Sequence, residues 1–394
     1  MGSVIIQVVD WLLWIVMAVS VAYALLFSLA SLLPRRRREQ KHLDAARRRF
    51  LVLFPAYKED EVIVQSVEAF LLQDYPNDDY QVAVISDHMQ PATNERLSAL
   101  PVELLTPSFE KSSKAKAMQH AIAQLGDTFD HVVILDADNV VRPDFLSRLN
   151  ELCLSGYHAI QCHRTAKNSD NDIAVLDGVS EEINNSIFRK GHNRLGLSAA
   201  LIGSGMCFDY EWFSQNVAKL DSAVEDRELE ALLMKQGIYI YYADHIYVMD
   251  EKVSNRDNFQ RQRLRWMTGQ VQTLLMMVPY LPKAIARGNL NYIDKTFQQA
   301  LIPRSLLLVF TLAFTLLAML AAWLSPLYSW SMALRWFVLL AVLCLSLLLA
   351  MPPRLRTGAV LGKVLLLPQL AWRMVKNLMH IDTHNKDFLH TTHG

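Results

Sequence analysis

The chain has 394 residues, enough for two ordinary domains or for one domain and a membrane part. Its 39 basic and 39 acidic side chains cancel, which removes the broad positive field that nucleic-acid binding relies on. A hydrophobic content of 52% is high for a purely soluble protein, and four cysteines (Cys153, Cys162, Cys207, Cys344) without CxxC or zinc spacing give no disulfide framework.

The first element is an uncharged run, Trp11–Leu33, whose 23 residues suffice to cross a bilayer. No positive segment precedes it and no small-residue cleavage site follows, which argues against a removed signal peptide. Arg35–Arg38 comes directly after it and Arg47–Arg49 again soon after. The positive-inside rule therefore puts the N-terminus outside and the remainder in the cytoplasm, with residues 1–34 as the anchor.

From about residue 49 to 250 short apolar runs alternate with helical patterns. "RFLVLFP" is followed by a helix over Glu61–Gln73, "YQVAVIS" by a Pro-led segment, "VELL" by Lys114–Leu125, and "HVVIL" by Pro143–Leu154 before "HAIQC". Continuous apolar strands alternating with helices predict an α/β domain, Rossmann-like, with a mostly parallel sheet covered by helices on both faces. In such sheets ligands bind at the carboxyl ends of the strands.

The unusual residues sit at those ends. "PAYKEDE" with Pro55, Tyr57 and Glu59 follows the first run, and "SDHMQ" with Asp87 follows the second. "LDADNVV" follows the fourth and carries Asp136 and Asp138. A lone strand-end aspartate such as Asp87 can also cap the next helix. Two acids spaced by one residue point to one side of an extended chain and would be desolvated together unless a cation joins them. Oxygen donors of this kind suit Mg²⁺ or Mn²⁺. Further on, His245 in "YADHIYVMDE" reads either as another ligand or as a structural histidine.

Beyond the domain, residues 270–303 are too polar and Pro-broken to span a membrane and too apolar for a free linker, so they read as interfacial helices. Ser305–Leu324, the turn "SPLYSWS" and Met332–Met351 form a hairpin of two further spans over residues 304–352. Arg335, near one end of the last span, is placed to snorkel. Arg304 on one side and Arg354 and Arg356 on the other put both hairpin ends in the cytoplasm. Residues 353–394 begin with the amphipathic stretch Ala359–Met379, holding Lys363, Arg373, Lys376 and Trp372. They end in a tail with His380, His384, His390 and His393 at irregular spacing, left unassigned.

With these residues in place, the chain resembles membrane-bound family-2 glycosyltransferases of the GT-A fold. "LDADN" resembles their DxD motif, "FPAYKE" their first-strand nucleotide motif, and Ser86-Asp87 their first aspartate. "SSKAKAMQHA" with Lys114 takes the place of a Gly-Lys-Ala segment, and "IGSGM" with Gly203, Ser204 and Gly205 that of an acceptor-side glycine motif. "VED", Val224–Asp226, matches a Thr-Glu-Asp motif, and "QRLRW", Gln262–Trp266, matches QxxRW in full. That last motif is typical of the cellulose, hyaluronan and chitin synthase branch and is also found in ceramide glucosyltransferases. Ser113 in place of glycine and Val224 in place of threonine depart from the pattern without removing a reacting group.

The resemblance implies a GT-A domain over residues 35–269 and a nucleotide-sugar donor, most often a UDP-sugar. Pro55, Tyr57, Glu59, Asp87, Lys114, Asp136, Gln262 and Arg265 would meet the donor. Asp136 and Asp138 would hold the metal, and Asp226 would be the general base of an inverting displacement. Gly203, Ser204, Gly205, Glu225 and Trp266 would meet the acceptor. Polysaccharide elongation is the first expectation and transfer to a ceramide- or polyprenyl-type lipid the alternative. Three spans fall short of self-contained export unless protomers or a partner complete a channel. An inactive scaffold would lack one of the motifs, and a transporter would need more spans and intramembrane polar residues. The motif match does not extend to Arg261 and Arg263, which read as solvent- or lipid-facing, so Arg263→Ala is expected to matter little.

Overall fold

The computed structural model describes residues 2–34, 46–126, 128–169, 171–222, 224–252, 256–326 and 328–363. The Arg35–Arg38 cluster, most of Ala359–Met379 and the His-rich tail lie outside them, as does the side chain of Arg261. The chain opens with α1 (Gly2–Ser31) and then builds the sheet through β1 (Phe50–Tyr57), α2 (Ile63–Phe70), β2 (Tyr80–Asp87) and α3 (Pro91–Ser98). β3 (Glu103–Leu105), α4 (Lys114–Gln124), β4 (His131–Ile134), β5 (Val140–Val141), α5 (Phe145–Leu154) and β6 (Ala159–Ala166) follow. Each of the five apolar runs read as a strand forms one.

Next come α6 (Asp172–Asn184), a π-helical segment Asn185–Gly191, α7 (His192–Arg194) and β7 (Met206–Asp209). α8 (Tyr210–Val217), α9 (Glu225–Lys235) and β8 (Ile240–Asp250) complete the sheet domain. The eight strands lie in the order β3-β2-β1-β4-β7-β6-β8-β5. β1 pairs parallel with β2 and β4, β2 with β3, and β6 with β8. β7 runs antiparallel between β4 and β6, and β5 antiparallel to β8, so the sheet is mixed.

The reversal of β7 matters for the site. Met206 at its start pairs with Ile134 at the end of β4, so the loop entering β7 reaches the edge where β1, β2 and β4 finish. β6 and β8 run with β4, which brings Ala166 and Asp250 to that same edge.

Alternation along the buried strands builds two cores. Leu51, Leu53, Ala83 and Ile85 pack with Met118 of α4, Phe213 of α8 and Leu229 and Leu233 of α9. Phe50, Val52, Phe54, Val82 and Val84 pack with Val67 and Phe70 of α2 and Phe145 and Leu149 of α5. α10 (Arg256–Met277), α11 (Leu281–Ala286) and α12 (Leu290–Ala300) follow. Met277, Ala284 and Tyr292 from this stretch join the first core, while Leu275, Ile285, Leu290 and Phe297 are exposed.

α13 (Arg304–Leu324) and α14 (Trp330–Ala350), together with α1, are long and apolar enough to cross a membrane, each with a mean hydropathy of 2.4. Met17, Val21, Leu307, Trp336 and Leu343 pack between them, and Leu12, Val16, Leu316, Leu317, Phe337 and Val338 face outward. Arg335 does not snorkel as expected. It forms an ion pair with Asp10 of α1, its guanidinium lies 3.9 Å from the Trp11 ring, and Trp336 Nε1 donates to Asp10 at 2.8 Å. The pairing satisfies a charge that would otherwise be stranded among apolar helices, and it ties α14 to α1. The last described element, α15 (Gly358–Lys363), reaches α6 through Lys363 and Asp172 at 2.8 Å.

The sheet domain is seated on these helices. Tyr23, Ala24 and Phe27 of α1 pack with Val179, Ile183 and Ile187, and with Ala350 and Met351 beyond them. Gly191, closing the π-helical segment, permits the contact: a Cβ there would lie 2.2 Å from the Phe27 carbonyl oxygen.

Candidate active site

The sheet edge opens into a cavity of about 820 Å³ lined by Pro55, Tyr57, Glu59, Asp87, Lys114, Asp136 and Asp138, and by Gly203, Glu225, Asp226, Gln262, Arg265 and Trp266. Most residues singled out from the sequence therefore meet in one space, and its volume is in the range of small-molecule sites.

β1 and β2 bring Tyr57 and Asp87 to the edge. The residues right after them, Lys58 and His88, are the two described non-glycine residues with left-handed backbone, at φ 55° and 57°. Such strain costs on the order of 1 kcal/mol each and persists where neighbouring structure enforces it. Here Lys58 N donates to the Asp87 carbonyl at 3.3 Å, joining the two strand ends, and Asp87 Oδ1 lies 2.5 Å from His88 Nδ1.

Past β4, Asn139 organises the acidic turn. Its Oδ1 accepts from Asp136 N at 3.0 Å, and its amide donates to Asp138 Oδ1 at 3.0 Å. Glu251 N, just after β8, donates to Asp138 Oδ2 at 2.7 Å. Both Asp138 oxygens are thus oriented while the residue stays buried.

Ser113 caps α4 by accepting from Lys116 N at 3.2 Å, a role the family's usual glycine could not fill. That cap sets Lys114 at the helix start, where its Nζ pairs with Asp136 Oδ1 and donates to the Gly203 carbonyl at 2.7 Å. Burial opposes its charge, but Asp136 and Glu225 outweigh that and hold the ammonium above the usual lysine range.

Glu225 and Asp226 open α9, where the helix dipole favours negative charge. Burial, with Asp226 alongside, pushes Glu225 up to about 7 against the pull of Lys114 and Arg265. Gly203, at φ +84°, lies against them: a Cβ there would meet Asp226 Oδ2 at 3.7 Å. Its two neighbours, expected beside the acceptor, are placed differently. Ser204 is fully buried and donates to Asn139, and Gly205 is packed so that a Cβ would fall 2.8 Å from Val248. They support the acidic turn and the sheet, and Gly203 alone of the three lines the cavity.

Burial, together with the charges of Asp138, Asp136 and Glu251, pushes Glu59 up to about 8. Such convergent carboxylates fit a hard divalent cation, and Asp136 and Asp138 are the donors that β4 delivers. Among the described residues no group of three or more His, Cys, Asp or Glu side chains is assembled that could hold a metal ion by itself.

Arg263 overturns its expectation. It lines the cavity, its side chain is only 12% exposed, and its Nη2 pairs with Asp177 at 2.5 Å. Its guanidinium also covers one face of Trp266 at 4.5 Å from the ring centroid. The physical reason is that α10 is wedged between bodies, with Met267 packing on Leu306 of α13 while Gly269 abuts Val224. Little of its surface is left to face solvent.

Sequence reasoning missed the floor of the cavity, where Arg164, Asp250 and Lys252 meet Glu181. Arg164 Nε lies 2.8 Å from Glu181 and 3.3 Å from Asp250, and Lys252 Nζ pairs with both acids. The signal was present, since "YVMDEK" repeats the acids-after-a-strand pattern of "LDAD". His245 lies elsewhere, 3.6 Å from Asp244 and outside the cavity lining.

The cavity also extends away from the acids. Val179 and Ile183 of α6, Ile302, Leu308 of α13, Leu347 of α14 and Met351 line this apolar arm. One space therefore joins the strand-end carboxylates to the membrane helices.

A family model described as "Glycosyltransferase like family 2" matches residues 47–269, more than half of the chain. No curated protein sequence matches it. Among solved structures, the mannosyltransferase PcManGT from Pyrobaculum calidifontis, in complex with GDP-Man and Mn2+, is similar in fold. Its TM-score is 0.53 at 18% identity, over 84% of this chain and 98% of that one. Glucosyl-3-phosphoglycerate synthase from Mycobacterium tuberculosis, with Mn2+, UDP and phosphoglyceric acid, gives 0.41 at 18% identity over 58% and 78%. S. aureus TarS 1-349 gives 0.39 at 14% identity over 84% and 89%.

Proposed function

The chain belongs to the family-2-like glycosyltransferases, and from that premise we propose that it moves a sugar from a nucleotide sugar to an acceptor held at the membrane. The observation that carries the acceptor's location is the single cavity running from Asp136, Asp138 and Asp226 to Leu308 and Leu347 of the membrane helices.

Tyr57 and Asp87 take the nucleoside, UDP being the first donor to test. Lys114, Gln262 and Arg265 face its diphosphate, and Asp136 and Asp138 hold Mg²⁺ or Mn²⁺. When bound, the cation supplies Lewis-acid stabilisation of charge on the departing phosphate. Asp226 takes the proton of the acceptor hydroxyl as that oxygen bonds to the anomeric carbon and the nucleoside diphosphate leaves. A single base on the acceptor side makes this a direct displacement with inversion. Its proximity to Glu225, held near neutrality, keeps the doubled negative charge at the α9 N-terminus small.

A lipid acceptor fits the apolar arm best. Elongation of a polysaccharide remains the second reading because QxxRW is complete at Gln262–Trp266. The purified chain in lipid nanodiscs, given Mn²⁺ and a panel of nucleotide sugars, should release nucleoside diphosphate and label lipid-extractable material. Long water-soluble products would favour elongation instead. An Asp226→Asn variant that turns over like the unmodified chain would refute the assignment of the base.

A further inference from the structure

Three arginines line the cavity where the apolar arm leaves the acidic site, and the donor chemistry does not account for them. Arg189 comes from the π-helical segment, Arg263 from α10 and Arg304 from the first turn of α13; all three line the cavity. Arg304 reaches Ser180 and Arg263 reaches Asp177, one turn apart on α6, so these like charges line one side of the cavity. Arg304 donates to the Ser180 carbonyl at 2.9 Å and to its hydroxyl at 3.3 Å. Arg189 donates to the Ala200 carbonyl at 3.1 Å and to Asn185 Oδ1 at 2.8 Å. Their hydrogen bonds go to neutral groups, and among the described residues neither forms an ion pair with a carboxylate.

The nearby acids are spoken for. Asp177 pairs with Arg263, Glu181 with Arg164 and Lys252, and Glu230 accepts from Leu201 N at 2.7 Å and faces Lys295. Collecting buried like charges is unfavourable unless an anion joins them, and arginine forks match phosphate oxygens well. The π-helical geometry of Asn185–Gly191, a rare conformation that recurs at functional sites, is what presents Arg189 here.

Position separates this anion from the donor's diphosphate. The donor residues are those at the ends of β1, β2 and β4 with Gln262 and Arg265 of α10, whereas Arg189 on the π-helical segment and Arg304 on α13 stand beside the apolar arm, and Arg263 is held toward α6 by Asp177. Arg304 opens a membrane-crossing helix, and Ile302, Leu308 and Leu347 continue the cavity from it. A phosphate at the arginines attached to a hydrocarbon chain along the arm would satisfy both parts.

We propose that Arg189, Arg263 and Arg304 hold the phosphate of a lipid-phosphate acceptor, with its hydrocarbon chain seated between α6, α13 and α14. This rests on the reading of the site as a glycosyltransferase with a membrane-held acceptor and names the acceptor's chemical class. Trp266, covered by Arg263, lines the same cavity as Asp226, so one space holds both the proposed anchor and the proposed base.

The test compares farnesyl monophosphate, farnesol and inorganic phosphate by calorimetry on the purified full chain in detergent micelles. Farnesyl phosphate should bind about 10- to 100-fold tighter than farnesol or free phosphate, as expected for charge-assisted hydrogen bonds added to chain burial. Arg304→Gln should erase most of that preference and leave UDP affinity within twofold. Arg354→Gln, which alters an exposed arginine paired with Glu182, should keep the preference.

Equal affinity for the phosphate and the alcohol would overturn the proposal, as would inorganic phosphate binding as tightly as the lipid. A loss of UDP affinity in Arg304→Gln would assign the arginines to the donor and overturn it as well. Should Arg304→Gln not fold, the comparison of phosphate with alcohol on the unmodified chain decides. A chain that binds no nucleotide yet prefers the lipid phosphate would sink the transferase reading alone, so the two readings fail separately.

Discussion

Gly269 offers a direct test of how α10 holds the proposed base. A Cβ at this position would sit 2.5 Å from Val224 Cγ1 and 3.4 Å from its Cβ and Cγ2. Ordinary carbon contacts are about 3.5–4.0 Å, so Gly269→Ala demands a shift of about 1 Å. Val224 is β-branched and has few rotamers to escape into, and it is the residue from which Glu225 and Asp226 hang. The displacement therefore passes to the start of α9. Overpacking costs ~1–3 kcal/mol, and the helix gains ~1 kcal/mol from replacing glycine, so the fold should survive. Catalysis is less forgiving, since a displacement of about 1 Å can cost roughly 10²-fold in rate. Steady-state release of nucleoside diphosphate should then show a kcat 10- to 100-fold lower, with a thermal midpoint within a few degrees of the unmodified chain. Val224→Ala removes the two methyl groups in the way, so Gly269→Ala/Val224→Ala should recover most of the lost rate. A single variant with unchanged kcat, or a double variant no faster than the single one, would refute this account.

Other consequences are open to measurement. Asp10→Leu leaves Arg335 without its carboxylate between α1 and α14; by analogy with broken buried pairs this should cost about 3–5 kcal/mol, seen as a lower thermal midpoint in detergent. Asp10→Leu/Arg335→Leu should regain most of it, and a single variant as stable as the parent would show that the pair is idle. Gly191→Ala places a methyl 2.2 Å from the Phe27 carbonyl and should lower the midpoint by separating α1 from the π-helical segment, whereas an unchanged midpoint would deny the close approach. Glu225, raised from 4.5 to about 7, binds its proton more tightly in the folded chain, so stability should fall as pH rises from 4.5 to 7 and level off above that. The effect is on the order of 3 kcal/mol; Glu225→Gln should flatten denaturation midpoints in that window, and a profile matching the parent's would contradict the burial of this carboxyl.

The parts of this molecule that local pattern could reach, and those it could not, divide on physical grounds. Phe50–Tyr57 and Tyr80–Asp87 are buried on both faces, so each leaves a continuous apolar run, and the acids beyond each run mark the functional edge. β7 leaves no such mark: it has four residues, and its importance comes from pairing backwards with β4, a contact between residues about 70 positions apart. Only that reversal explains why Gly203 reaches Asp226. It explains equally why Ser204 and Gly205 do not, because once the chain enters the sheet successive residues are committed to its interior. A motif's spacing marks the neighbourhood of a site without saying which of its members turn inward. Arg263 carries the same lesson for a helix. In isolation "NFQRQRLRWMTGQ" has a charged side that should face water, and for a helix with one packed face that inference holds. α10 instead packs on α9 and α12, abuts α13 through Met267, and pairs with α6 through Arg263 and Asp177. A helix enclosed on several sides has no spare polar face, so its charges must be matched from within. The partner for Arg263 lies 86 positions away, and such a partner is supplied by the tertiary fold alone.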